Sequence, residues 1–164
     1  MRDLQQVSAW FAIVDCARDA RLHALVERSE KRACLYSGDY DEDTRKALPY
    51  LVQLDRAEPL AETWRQHESG RFWGMLCDSD SSLAELRRHF RKFTTARLPD
   101  GEIVLFRFWD PRVFEPFALT GTAEEVAPIF SAVASFVADP GGGRRRYEWN
   151  GRLLVNGQPA SAAA

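Results

Sequence analysis

Three charged side chains sit among aromatic residues in the run Phe106-Arg107-Phe108-Trp109-Asp110-Pro111-Arg112-Val113, the densest concentration of reactive types in the chain. If this run continues a strand, alternation places Ile103, Leu105, Arg107 and Trp109 on one face, so that a guanidinium lies on an otherwise apolar stripe. A buried guanidinium needs a carboxylate, and Asp15 and Asp110 are the candidates. Removing one partner of such a buried pair typically costs ~3–5 kcal/mol. The other reading is catalytic: Asp15 and Asp110 both end apolar runs, and the carboxyl edge of an α/β sheet is where ligands usually sit. Two carboxylates there could serve a small hydrolase as acid and base, or hold a divalent metal. The structural role is preferred, because Asp110 followed by Pro111 is a helix start and no histidine is near either carboxylate in sequence.

Other chemistry finds less support. His23, His67 and His89 occur singly in predicted helices without an HExxH pattern, so they read as surface or boundary residues and neither metal nor cofactor is expected. No GxSxG or SxxK arrangement suggests a nucleophile, and Gly141-Gly142-Gly143-Arg144 lacks the GK[ST] ending and the preceding strand of a phosphate loop. Cys16, Cys34 and Cys77 form no CxxC pair and read as small apolar residues in a reducing compartment. Two basic runs remain, the helix face of Arg87, Arg88, Arg91 and Lys92 and the triplet Arg144-Arg145-Arg146. A net charge of −2 and the acidic stretch 39–43 argue against nucleic acid and against an anionic membrane. Five tryptophans alongside arginine-rich segments have the composition of protein interfaces, and Tyr147 and Trp149 on a terminal hairpin, with Arg87, Arg88 and Arg91, are the candidate partner-binding residues.

The elements that must position these residues are partly legible. Trp10–Val14 reads as a first strand buried on both faces, closed by Asp15. Strands follow near 33–36, 50–54 and 72–77, and a long, central one over 102–109. Helices are expected after Asp19, over 59–68 with Pro59 at the first turn, over 83–95 behind a Ser82/Glu85 capping box, and after Asp110. A Thr122/Glu125 capping box opens a last helical stretch through Val137, with a kink or its true start at Pro128. Residues 139–143 form a glycine-rich joint, 144–157 a β-hairpin turning at Asn150-Gly151, and 158–164 a disordered tail. Strands alternating with helices predict an α/β domain over 1–138: a mixed or mostly parallel sheet of about five strands flanked by helices, with a C-terminal helical stretch and a terminal β-hairpin. The polar N-terminus shows no leader, so a cytoplasmic protein is expected.

Several blocks recur in a familiar order. They are Phe11-Ala12-Ile13-Val14-Asp15, Leu35-Tyr36-Ser37-Gly38, Pro49-Tyr50-Leu51-Val52-Gln53-Leu54, Trp73-Gly74, Leu83-Ala84-Glu85-Leu86-Arg87-Arg88-His89-Phe90 and Phe106 to Val113. Over about residues 9–138 the chain resembles the adaptor-chaperones of bacterial type VI secretion, a family once catalogued only as a domain of unknown function. The resemblance implies a cytoplasmic, non-enzymatic protein that binds an effector and delivers it to the VgrG-type spike protein without being secreted. Two departures stand out. Cys16 replaces a glycine common after the first aspartate, and the larger helical second lobe of many relatives is shortened to one helical stretch, a hairpin and a tail.

Overall fold

The computed structural model describes residues 8–160. Its centre is β1 (Ala9–Asp15), whose Phe11 and Ile13 face one side and Ala12 and Val14 the other, all fully buried. Both faces are apolar because helices cover both. Asp15 closes the strand and caps a 3-10 turn at Cys16–Arg18, after which α1 (Leu22–Glu27), β2 (Arg32–Cys34), α2 (Glu42–Arg45), β3 (Pro49–Gln53) and α3 (Pro59–His67) follow. Leu60 and Trp64 of α3 and Leu22 and Val26 of α1 pack on Ala12, Val14 and Val52.

The chain then enters β4 (Gly74–Ser79), α4 (Leu83–Arg91) and a two-stranded ribbon of β5 (Thr95–Arg97) and β6 (Ile103–Leu105). It continues through α5 (Pro111–Thr120), α6 (Ala123–Phe130), β7 (Ser135–Ala138), β8 (Arg145–Trp149), β9 (Leu153–Val155) and β10 (Gln158–Pro159). Leu86, Phe90, Phe114, Val126 and Ile129 bring α4, α5 and α6 against Phe11, Ile13 and Phe136 on the second face. Both expected capping boxes form, with Ser82 Oγ accepting from the Glu85 amide and Thr122 Oγ1 from the Glu125 amide.

The sheet differs from the expected one. Among the described residues it has eight strands in the order β10-β9-β8-β7-β4-β1-β3-β2, and all their pairings are antiparallel, rather than about five strands in a mixed or mostly parallel arrangement. The physical reason lies in β1. Both β3 and β4 run against it, so they run parallel to each other with β1 inserted between them, and α3 carries the chain across. A strand–helix–strand unit is present, but its strands are not neighbours.

Two local expectations also change. The run 102–109 is not a central strand: β6 stops at Leu105 and, among the described residues, pairs only with β5, so the alternation never reaches Arg107. The last helical stretch ends at Phe130, soon after Pro128, and Phe136 and Val137 belong to β7. The glycine run is the β7–β8 connection, where the Gly141 and Gly143 amides donate to Asp139, and the hairpin extends the main sheet. Residues 158–159 of the expected tail pair with β9. Residues 1–7, on which the expected lack of a leader rests, and 161–164 of the tail lie outside the described residues. Among the described residues no helix is long and apolar enough to cross a membrane.

Candidate functional site

At the carboxyl end of β1 the Asp15 side chain is 1% exposed, and its Oδ2 accepts from Arg107 Nη2 while Oδ1 accepts from the Ala17 amide at 3.2 Å. Of the two carboxylates expected as candidates for Arg107 it is Asp15 that pairs with it, and the arginine side chain is 46% exposed and reaches in from a loop, not from a buried stripe. Asp110 caps α5: Oδ1 accepts from the Arg112 amide and Nε at 2.9 and 3.1 Å, and Oδ2 from Nη2 at 2.8 Å. Burial alone would push the Asp110 carboxyl up, but the hydrogen bonds from Arg112 prevail and hold it below the usual carboxylate range. The Arg112 guanidinium also lies 4.6 Å from the ring centroid of Phe72, whose backbone is left-handed (φ 55°), a rare state for a bulky residue. Each aspartate thus has its own arginine, an arrangement suited to fixing a loop onto a sheet end rather than to moving protons.

In the rest of this block Phe108, Trp109 and Pro111 are buried, Phe106 is half-buried and Val113 is exposed. Trp109 is buried edge-on to Tyr36 and Phe108, and its indole N–H has no hydrogen-bond partner among the described residues. Pro111 is buried at the first turn of α5. His89 is also buried, contrary to the surface or boundary position expected of it, with Nε2 3.0 Å from the Ile129 carbonyl; burial lowers its pKa. Cys16 and Cys77 are buried free thiols, that of Cys16 pushed up by burial to about 12. Among the described residues no three His, Cys, Asp or Glu side chains cluster as metal ligands would.

The two basic runs part company. Each arginine of the 144–146 triplet has a carboxylate: Arg144 bonds Glu68 at the end of α3, Arg145 Nη1 bonds both Glu115 oxygens at 2.7 Å, and Arg146 reaches Glu148 at 3.3 Å and Asp78 at 3.8 Å. Tyr147, fully buried, donates its hydroxyl to Glu115 as well. Tyr147 is therefore a staple and not a contact surface, while half-buried Trp149 stacks on Phe130 at 6.1 Å. Glu115 was not singled out from sequence. Its readable signal is an acidic residue four positions after Pro111, on the inner side of an apolar helix.

By contrast Arg88 and Arg91 on α4 and Lys92 at its C-cap are exposed, with no carboxylate within 4 Å among the described residues, and Arg87 donates Nε to the Cys34 carbonyl at 2.6 Å. They line a groove of about 650 Å³ between α4 and β2. Arg91 also borders a second hollow that holds Tyr36, Tyr40 and Leu105. Beyond it the β5–β6 ribbon exposes Ile103 by 60% and Leu105 by 67%. The ribbon is anchored at its base, where Phe106 packs edge-on against Phe117 at 5.1 Å.

No curated protein and no solved structure matches the chain. One family profile does, described as a domain of unknown function (DUF4123), over residues 10–127. That span takes in β1 through most of α6, including the Asp15–Arg107 and Asp110–Arg112 pairs and the α4 groove, and the chain belongs to the DUF4123 family.

Proposed function

We propose that the chain is a cytoplasmic adaptor-chaperone that binds a type VI secretion effector and delivers it to the VgrG-type spike, acting by binding alone. The observation that carries this reading is the β5–β6 ribbon. It stands apart from the main sheet with Ile103 and Leu105 in solvent. An isolated two-stranded ribbon is marginal in water, and exposed contiguous apolar side chains are a signature of protein contact. The α4 cations, without a carboxylate within 4 Å among the described residues, lie beside it and share Arg91 with its neighbouring hollow. Further support comes from the ordered sequence blocks that resemble type VI adaptors, now carried by a chain of the DUF4123 family. Mass action supplies the mechanism: a partner bound only when folded is stabilised until it is handed on.

Co-expression of the tagged chain with the spike and effector genes encoded beside it, followed by purification and native mass spectrometry, tests the proposal. The expected result is a stable complex in which effector solubility depends on the chain. Recovery of the chain alone, with both partners soluble without it, overturns the reading.

A further inference from the structure

We infer that the groove between α4 and β2 receives an acidic, extended segment of a partner protein, added as a strand to the free edge of the main sheet. This deepens the adaptor reading and rests on it for the identity of the partner. The first observation is geometric. Among the described residues β2 is the outermost strand, and Leu35 N–Pro49 O and Gln53 N–Lys31 O bonds set the alternation, so Lys31, Ala33 and Leu35 turn their main chain towards β3. Arg32 and Cys34 therefore direct theirs outward; Arg87 Nε takes the Cys34 carbonyl, and the two outward N–H groups remain as a template for another strand.

The second observation is electrostatic. Arg88, Arg91 and Lys92 overlook that edge without a carboxylate within 4 Å among the described residues, whereas Arg144, Arg145 and Arg146 are all paired. Arg87 is held along the edge by its bond to the Cys34 carbonyl. Beneath these charges Ala33, Leu83 and Ala84 make an apolar lining. A strand laid here presents alternate side chains to α4, and carboxylates at those positions meet the cations. Nucleic acid fits less well: none of the groove's lining residues is aromatic, so there is no platform for bases, and the outward amides match a polypeptide main chain.

The probe is a fluorescein-labelled peptide of alternating glutamate and valine, titrated with the full chain by anisotropy at low and physiological salt. A lysine–valine peptide, a backbone N-methylated glutamate–valine peptide and oligothymidylate serve as competitors. We expect the acidic peptide to bind, to weaken with salt, and to lose about tenfold or more in affinity with Arg88→Glu/Arg91→Glu. Amide exchange at Arg32 and Cys34 should slow on binding, a readout on the unaltered chain should the double variant fail to fold. The inference is overturned if the acidic peptide does not bind, if the folded double variant binds it unchanged, or if the N-methylated peptide competes as well. Displacement by oligothymidylate but not by acidic peptide also overturns it, in favour of nucleic acid. No binding by any probe leaves the cations as guards of the sheet edge. Capture of effector and spike by the double variant at wild-type affinity overturns the groove assignment and leaves the adaptor reading standing; peptide binding without effector capture does the reverse.

Discussion

Replacing Arg107 with alanine strips a buried carboxylate of its charged partner. Asp15 would keep only the Ala17 amide at 3.2 Å, with its side chain 1% exposed. Were both groups buried the loss would be ~3–5 kcal/mol. A fully exposed pair would contribute only ~0.2–1 kcal/mol. The Arg107 side chain is 46% exposed, so solvent screens the arginine end and leaves the carboxylate end dry. The appropriate scale is one charge-assisted hydrogen bond to a buried acceptor, about 2 kcal/mol. For a chain of this size, at roughly 2–4 °C per kcal/mol, that lowers Tm by about 4–8 °C. Asp15→Asn removes the orphaned charge, so the double variant should recover part of the loss, and a thermal and urea double-mutant cycle reads the coupling directly. A melting temperature for Arg107→Ala within about 1 °C of wild type would refute this reasoning, as would strictly additive effects of the two substitutions.

Burial places the His89 pKa below its ordinary 6.5, so the unfolded chain takes up the proton first as pH falls. The associated stability is complete above 6.5 and is lost as pH falls through the folded value; His89→Phe should flatten the wild-type decline in Tm between about pH 7 and about pH 5. Gly74→Ala should prevent folding or cost about 4 kcal/mol or more, measured by urea titration. Its Cβ would lie 1.8 Å from the Ile13 carbonyl oxygen, at a φ of +140° that alanine avoids. Ile103→Ser with Leu105→Ser should leave stability within about 0.5 kcal/mol while weakening co-purification with the effector, because both side chains stand in solvent.

Signals confined to a few residues were readable. The Ser82/Glu85 and Thr122/Glu125 boxes and the Asp110-Pro111 start each depend on one turn of backbone, and all form. Strand direction was not readable, because alternating strands and helices look the same whether a crossover joins neighbours or spans an inserted β1. The run from Phe106 to Trp109 misled because aromatic residues can be buried by a loop as well as by a strand; Phe108 reaches the core 5.4 Å from Phe90 without ladder bonds of its own. At the site, the need of Arg107 for a carboxylate was legible, but the choice between Asp15 and Asp110 was not, and the buried stripe it was read from is a loop. The difference between the two arginine runs was not, since the carboxylates that claim Arg144 and Arg145 lie at Glu68 and Glu115, distant in sequence and close only in the fold.

The strand order also sets a schedule for synthesis. β1, β3 and β4 can pair as soon as Ser79 has emerged, but the partner for the other edge of β4 begins only at Ser135. Until then the nascent sheet carries an open edge and α5 lacks Tyr147, which closes over Phe114 at 5.2 Å. A ribosome stalled before β7 therefore holds a species with unpaired main chain and uncovered aromatic surface. Residues 135–159, which supply β7 to β10, act as the final latch: they pair the open edge of β4 and cover the aromatic surface of α5.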